Sequence, residues 1–551
     1  MTPPHRRRRP RRAAVYRAAR RATAAFGVAL VVVGVAGVGR DPGATGDLVL
    51  PLVAAVAAVA VAAYTSLRRG LRTRTRTTPG GRAPTVVPLD ELDRRARRLL
   101  VETDDCVRTS AEELRWAAAQ LGDEAIRAHA EALAAAASDL ASAFRLRQRL
   151  DDGEDGARAL LEEIGARCGA AGRRLDAEAP GFDRTRALER TAPEALERAE
   201  ARLRETAVRV AEADGTLAEL RGRYALSACL PVTGHDEQAK DRAAFAATCL
   251  DRGRREMDRK ETGSAVVHLR AAEAAVDQTA LLADGIARLA SALAAAAHTL
   301  PAALAATRTG LAEAAAEPAR TDLRPRIAHG EAVVAELLRE LGGHEGRAGA
   351  AGRGALDPIG SLRRLEEVAA GLDRAARRRP EGSRALDRLE RALLVARSSV
   401  GAASDYITTH RGAVGCEART RLAEAERRLR AAERGDTPVP ASAPAPADAL
   451  ADAREADAFA RQARQLAQRD VRTHGTPYGE GVWTGGAVLG GILLDAPHRP
   501  GSPAGHPGDG GPASYGGPGT RARRDGGALF RPEGPQGPSA QQKGDAPAEP
   551  P

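Results

Sequence analysis

The fold class predicted is all-α: a two-span transmembrane hairpin, then elongated helical hairpins or coiled coil, then a disordered Gly/Pro-rich tail. Three observations predict it. Two apolar runs, 22–39 and 48–67, stand side by side near the start of the chain. The long middle is dominated by Ala, Leu, Arg and Glu, the composition of long helices, with apolar residues at helical spacing. Aromatic residues make up only 3% of the 551 residues, too few for large globular cores.

The two runs come first because they set location. A bilayer core about 30 Å thick needs roughly 20 apolar residues of helix. The second run meets that length and the first approaches it; neither contains a charge, and Pro51 falls in the first turn of the second. The link 40–47 is too short for a domain, so the spans are read as antiparallel. Nine arginines precede them: Arg6, Arg7, Arg8, Arg9, Arg11, Arg12, Arg17, Arg20 and Arg21. Arg68, Arg69, Arg72, Arg74, Arg76 and Arg82 follow. The positive-inside rule places both flanks, and hence the bulk of the chain, in the cytoplasm of a multi-pass inner-membrane protein. Anionic head groups are the expected lipid partner of these arms, at about 1 kcal/mol per residue near the surface. A cleaved signal peptide is the competing reading of the first run. The ending VAGVGRD, with no small-residue cleavage site, and the second run directly after it argue for the anchor.

The organisation then follows in order. Residues 1–21 are a basic cytoplasmic arm, 22–67 the hairpin and 68–88 a basic linker. A helical or coiled-coil region occupies 89–435, a Pro/Ala linker 436–447 and a terminal helix 448–471. The tail, 472–551, is rich in Gly and Pro and predicted to be disordered, since it has too little apolar area to repay its ordering entropy. One apolar island, 476–494, interrupts it. Within the helical region, Leu92, Ala96, Leu99 and Leu100 start an apolar stripe, and Ser110 to Glu113 form a capping-box pattern predicting a new helix. Further helices are expected near 124–150, 157–175, 185–225, 237–258, 262–297, 299–317, 324–341, 360–378, 382–411 and 413–434. Breaks are expected at Gly153, Gly156, Pro180 and Pro231. Short turns between helices imply antiparallel neighbours.

Charge excludes one function class. The net charge is +10, but residues 1–82 hold sixteen Arg against Asp41 and Asp47, a local +14, leaving about −4 for the rest. The basicity belongs to the membrane flanks, so nucleic acid is not an expected partner. Five dispersed cysteines, Cys106, Cys168, Cys229, Cys249 and Cys416, fit reduced thiols buried as small hydrophobes.

Catalytic motifs are not found. Asp151 to Gly156 with Glu162 mimics a calcium loop, but Gly153 stands where a ligand belongs and Arg158 where an apolar residue packs, so an acidic interhelix turn is expected. His344-Glu345 has no second His in register. The lysines Lys240, Lys260 and Lys543 lie in no phosphate loop, and no nucleophile elbow occurs. His129, His268 and His298 read as packed or solvent-facing helix residues. Glu112-Glu113 and Glu162-Glu163 read as solvated faces. No catalytic residue, cofactor or metal is therefore assigned.

Several phrases carry a family resemblance. ELDRRARRLLVETDDCVRTSAEELRWAAAQLG (91–122), AFRLRQRLDD (143–152), ARCGAAGRRLDAEAPGFDRTRALERTAPEALERAEARL (166–203) and RGAVGCEARTRLAEAERRLRAAE (411–433) resemble the helical region of bacterial TPM-domain membrane proteins. SYGGPGTRARRDGG (514–527) is similar to their Gly/Arg terminal motif. In that family a TPM domain, with phosphatase-like activity ascribed in some cases, precedes the membrane segment. Here a 21-residue basic arm, nine of whose residues are Arg, precedes the first apolar run and no α/β pattern is visible. The resemblance thus implies the membrane-tethered helical part without the activity. The resulting expectation is a scaffold or partner-docking protein, self-associating through its helices or binding a protein partner. The alternatives are a divergent TPM-like phosphatase and a membrane-surface sensor working through the Gly-rich tail.

Overall fold

Pro88 gives the first helix an extended N-cap, and Asp90 and Glu91 put negative charge at its positive end. That helix, α1 (Leu89–Leu121), is the first among the described residues, which in this computed structural model are 87–316, 323–345, 356–377, 380–436, 446–475 and 514–521. No strand occurs among them. The spans 22–39 and 48–67, their link and all the flanking arginines lie outside the described residues, as do most of the Pro/Ala linker and the island 476–494.

Gly122, at φ 83°, is the single residue between α1 and α2 (Asp123–Asp151). A five-residue turn with two left-handed glycines leads to α3 (Ala157–Arg186), and these three helices pack on one another. Ala187, itself left-handed at φ 46°, redirects the chain into α4 (Leu188–Arg223). A short α5 (Leu226–Cys229) and a three-ten turn lead to α6 (His235–Asp258) and then α7 (Thr262–Ala315). α8 (Arg324–Glu345), α9 (Pro358–Ala376), α10 (Gly382–Thr409), α11 (Cys416–Asp436) and α12 (Pro446–Gly475) complete the series. α9 has a well-formed start: Pro358 takes its first position, where no N–H is needed, and the Asp357 side chain accepts from Gly360 N at 2.9 Å.

α7 is the axis of the packing, lying against α4, α6, α8, α9 and α10. Its Leu282, Ile286, Leu293 and Leu300 are buried against α4, α8 and α9. By length and composition this 54-residue helix is the one candidate membrane span among the described residues. α10, α11 and α12 share a separate core around Ile407, Leu422 and Leu466. That group folds back on the first helices: α11 packs against α1 and α2, and Cys416 joins the core of Leu100, Leu140 and Ile164.

Much of this buried surface is alanine, which specifies axial register weakly. Two buried arginines supply what alanine lacks. Arg419 of α11, 1% exposed, donates to Asp104 at 2.6 Å and Asp105 at 2.7 Å on α1, and to the carbonyls of Val414 and Arg411. Arg186, at the end of α3, binds Glu113 of α1 and both carboxylate oxygens of Glu273 of α7 at 2.5 Å. Burial raises the Glu273 carboxyl above its ordinary range against the pull of Arg186, and the Glu113 charge adds to the rise.

Tertiary packing overrules several local signals. The capping-box pattern at Ser110 begins no helix, because α1 runs through it: Ser110 is buried and Glu113 is committed to Arg186. Glu112 and Glu113 are not solvated faces either, since Glu112 accepts both guanidinium nitrogens of Arg411 at 2.8 and 3.0 Å. α3 continues past Pro180 to Arg186, and α7 continues through residue 298 and past Pro301. A helix-interior proline costs about 3 kcal/mol; burial of Ala179 and Phe182 around the first, and of Leu300, Ala303 and Leu304 around the second, offsets it. The predicted disorder of 472–551 is also corrected at two places. α12 extends to Gly475, and 514–521 are folded onto α1–α3.

Arg419→Ala is expected to lower the unfolding free energy by about 3 kcal/mol, because Asp105 then loses its buried partner and Asp104 keeps only Arg108. Arg255→Ala, which removes an exposed pair to Asp251, should change it by less than about 1 kcal/mol in the same denaturant titration. A second expectation concerns pH. Burial pushes His235 from 6.5 down to about 4, with Arg464, His410 and Arg288 adding repulsion and a backbone hydrogen bond at Leu282 opposing. Its folded pKa lies below its unfolded one, so its contribution is present above pH 6.5 and is lost as pH falls towards 4. Buried Asp277, raised to about 6, works in the opposite direction. The unfolding free energy of wild type minus that of His235→Gln should therefore fall between pH 7 and 4, by up to about 3 kcal/mol.

Candidate docking site

The residues of the site come from one helical layer and one distant peptide. α1 contributes Asp105, Cys106, Thr109 and Ser110 on successive turns of one face; α2 contributes His129; α3 contributes Gly172, Asp176 and Phe182. Across them lies Ser514–Arg521, ending in a single helical turn over 518–521.

Tyr515 is its anchor. The ring is fully buried, stacks on Phe182 at 4.5 Å and 18°, and meets the His129 ring edge-on at 6.0 Å. Its hydroxyl donates to the His129 carbonyl at 2.9 Å. Burial raises the phenol far above its ordinary pKa, so it remains a donor. His129 is held by Glu178 at 3.1 Å and lies edge-on to Phe182. In the same buried core, burial pushes the Cys106 thiol up to about 12, which leaves it unreactive. All five cysteines are buried and free.

Asp176 is the clamp. One oxygen accepts Gly517 N at 3.1 Å, Thr520 N at 2.6 Å and the Thr520 hydroxyl at 2.6 Å; the other accepts Gly519 N at 3.1 Å. A carboxylate from another helix thus caps the first N–H groups of a helical turn, Thr520 N sharing its hydrogen between Asp176 and the Gly517 carbonyl. Gly516 N donates to Ser110 Oγ at 3.1 Å, and Arg521 reaches the Asp105 carbonyl and Thr109 at 2.9 and 3.0 Å. The contact admits no side chain where the two backbones meet: a Cβ on Gly517 would overlap the Gly172 carbonyl, and one on Gly172 would lie 2.9 Å from Pro518. Glycine is therefore required at 517, and added Cβ atoms at 516 and 519 would lie 2.8 Å from Thr520 and Asp176.

Of the residues that sequence patterns single out, His129, Cys106 and Ser110 belong to this site. The membrane-flanking arginines lie outside the described residues. At the calcium-loop mimic, Asp151 accepts from Arg147 at 2.5 Å and Glu154 from Arg149 at 2.6 Å, so these carboxylates already have cationic partners. Among the described residues no group of acids, histidines and cysteines forms a metal cluster. No local pattern points to Asp176 or Tyr515. The signals that reach them are the family resemblances, with Tyr515 inside the phrase 514–527 and Asp176 inside the phrase 166–203.

Comparison with known proteins adds a relationship. The chain is 33% identical over 426 residues to UPF0603 proteins from two Mycobacterium tuberculosis strains, CDC 1551 / Oshkosh and ATCC 25618 / H37Rv. The match covers 74% of this chain and 62% of each relative, so the chain spans less than two thirds of their length. No family model matches the chain, and no solved structure does.

Truncating the anchor should release the peptide. Tyr515→Ala is expected to cost about 3 kcal/mol or more of docking free energy and to speed exchange of the Thr520 amide by roughly a hundredfold. Tyr515→Phe, which removes only the hydroxyl, should cost about 1 kcal/mol. Hydrogen exchange with mass-spectrometric readout over 514–521 measures both.

Proposed function

We propose that this chain is a non-catalytic, membrane-anchored docking protein, in which the face of α1–α3 receives a glycine-rich, tyrosine-anchored peptide. The observation that carries this reading is the seating of Ser514–Arg521: a buried ring plus a single carboxylate that accepts four hydrogen bonds. Such a combination recognises a short segment through its backbone and one aromatic anchor, the way peptide-binding domains work. The chain's own segment is then the resident occupant, and a partner carrying the same chemistry competes with it. The apolar runs 22–39 and 48–67 with their arginine flanks support anchorage in an inner membrane, with the docking face on the cytoplasmic side. The phrases shared with TPM-domain proteins, and the length of the UPF0603 relatives beyond the matched part, support a helical region that elsewhere accompanies a further domain.

Two measurements test the parts separately. Fusion of a cytoplasm-only fluorescent reporter and a periplasm-only phosphatase reporter to the C-terminus should give fluorescence without phosphatase activity; the reverse would put the docking face outside the cytoplasm. For docking, a labelled peptide of residues 512–523 should bind the full chain carrying Tyr515→Ala and bind wild type far less, because the groove is filled in cis. Adding Asp176→Ala should weaken that binding by about 10- to 100-fold. No binding to the Tyr515→Ala chain would sink the docking reading.

A further inference from the structure

A second concave feature lies elsewhere in the helical body, between the C-terminal half of α7 and helices α9, α10 and α12. It is a cavity of about 690 Å³, within the range of roughly 300–1,000 Å³ usual for small-molecule sites. Its floor is apolar, including Ala303, Leu362, Leu365, Ala370, Ala392 and Val395. Its walls are charged, and most of that charge is already matched. Glu366 accepts from Arg388 at 2.9 Å and from Arg454 at 2.7 Å; Arg388 also reaches Asp373 at 2.7 Å. Arg363 holds both oxygens of Asp457 at 2.9 and 3.0 Å, and Arg384 holds both oxygens of Glu313.

Arg391 is different. It lines the same cavity, is half-buried, and has no hydrogen bond or ion pair to any described residue. Glu366, Asp387 and Glu390 act on it only through space, and burial lowers its pKa below the ordinary arginine value. A guanidinium that has lost part of its hydration and gained no bound carboxylate favours an oxyanion from outside the chain. The alanine and leucine floor beside it would be left bare by a simple inorganic anion.

We propose that this cavity binds an anionic amphiphile, with the carboxylate or phosphate head group on Arg391 and the hydrocarbon on the alanine–leucine floor. The shared chemistry is an oxyanion joined to an aliphatic chain, and two probes separate its sources. Decanoate represents a fatty-acid carboxylate and decyl phosphate a lipid phosphate; both are titrated calorimetrically into the purified full chain. Saturable binding of either supports the site, and the tighter of the two identifies the head group.

Decanol, which keeps the chain and loses the charge, should bind at least 10-fold more weakly, and inorganic phosphate should show no comparable binding. Arg391→Met should weaken the anionic probes at least 10-fold without lowering the melting temperature, since it removes a partly desolvated charge. Ala370→Leu, which fills the floor, should weaken them independently. Arg391→Lys should retain part of the affinity and guards against misreading a folding defect. Equal binding of decanol and decyl phosphate, unchanged binding in folded Arg391→Met, or inorganic phosphate matching decyl phosphate would each overturn the proposal. The docking groove is not involved, so its failure or success leaves this result untouched.

Discussion

Alanine makes helices easy to form and hard to register. A helix with an alanine stripe can slide along a similar neighbour with little change in buried area, and each contact stabilises at only about 25 cal/mol per Å². Directional contacts are needed to choose one arrangement, and here they come from arginines removed from water. Arg419 reads Asp104 and Asp105 together with two carbonyls, while Arg186 joins Glu113 to Glu273. Both networks end on α1. A guanidinium fork matches carboxylate oxygens in one geometry, so a slip of one residue would leave buried charge unpaired on both sides. The register of α3, α7 and α11 is set relative to this one helix.

The docking face inherits that dependence. Asp104 and Asp105 meet Arg419, while the Asp105 carbonyl, Thr109 and Ser110 meet the peptide, so neighbouring residues of α1 serve both contacts. Asp176 completes the arrangement from α3, whose position is held by Arg186 at its end. The glycines of the peptide are demanded by close backbone approach, not by flexibility. Proline and glycine together, usually a mark of chain that cannot fold, here let a backbone lie against Gly172 and offer its N–H groups to one carboxylate. With aromatic residues so scarce in the chain, the stacking of Tyr515 on Phe182 concentrates apolar area where it matters most.

The cavity near α9 follows the same electrostatic rule with one difference. Wherever an arginine of this body loses water, a carboxylate or carbonyl usually meets it, as Arg363, Arg388 and Arg454 illustrate. Arg391 breaks the pattern beside an apolar floor. In a protein that uses paired guanidinium groups to hold its helices, an unpaired one beside a hollow is a departure that calls for a ligand.

Most of the helices are legible in the sequence, because a 3.6-residue apolar period and good helix formers are local properties. The observed α2, α6, α8, α10 and α11 lie within a few residues of the expected spans. Apolar length and arginine flanks likewise belong to the sequence alone. The rest depends on partners far along the chain. Ser110 looks like a helix start until Gly516, 406 residues away, supplies its donor. Pro180 looks like a break until packing around Phe182 offsets its cost, and Tyr515 looks like part of a structureless tail until Asp176 and Phe182 are beside it. Local sequence determined that helices form and which of their faces are apolar. Only the tertiary structure decided which alanine face meets which, and where a buried polar group finds its partner, since an alanine stripe fits many neighbours and a hydrogen bond needs one.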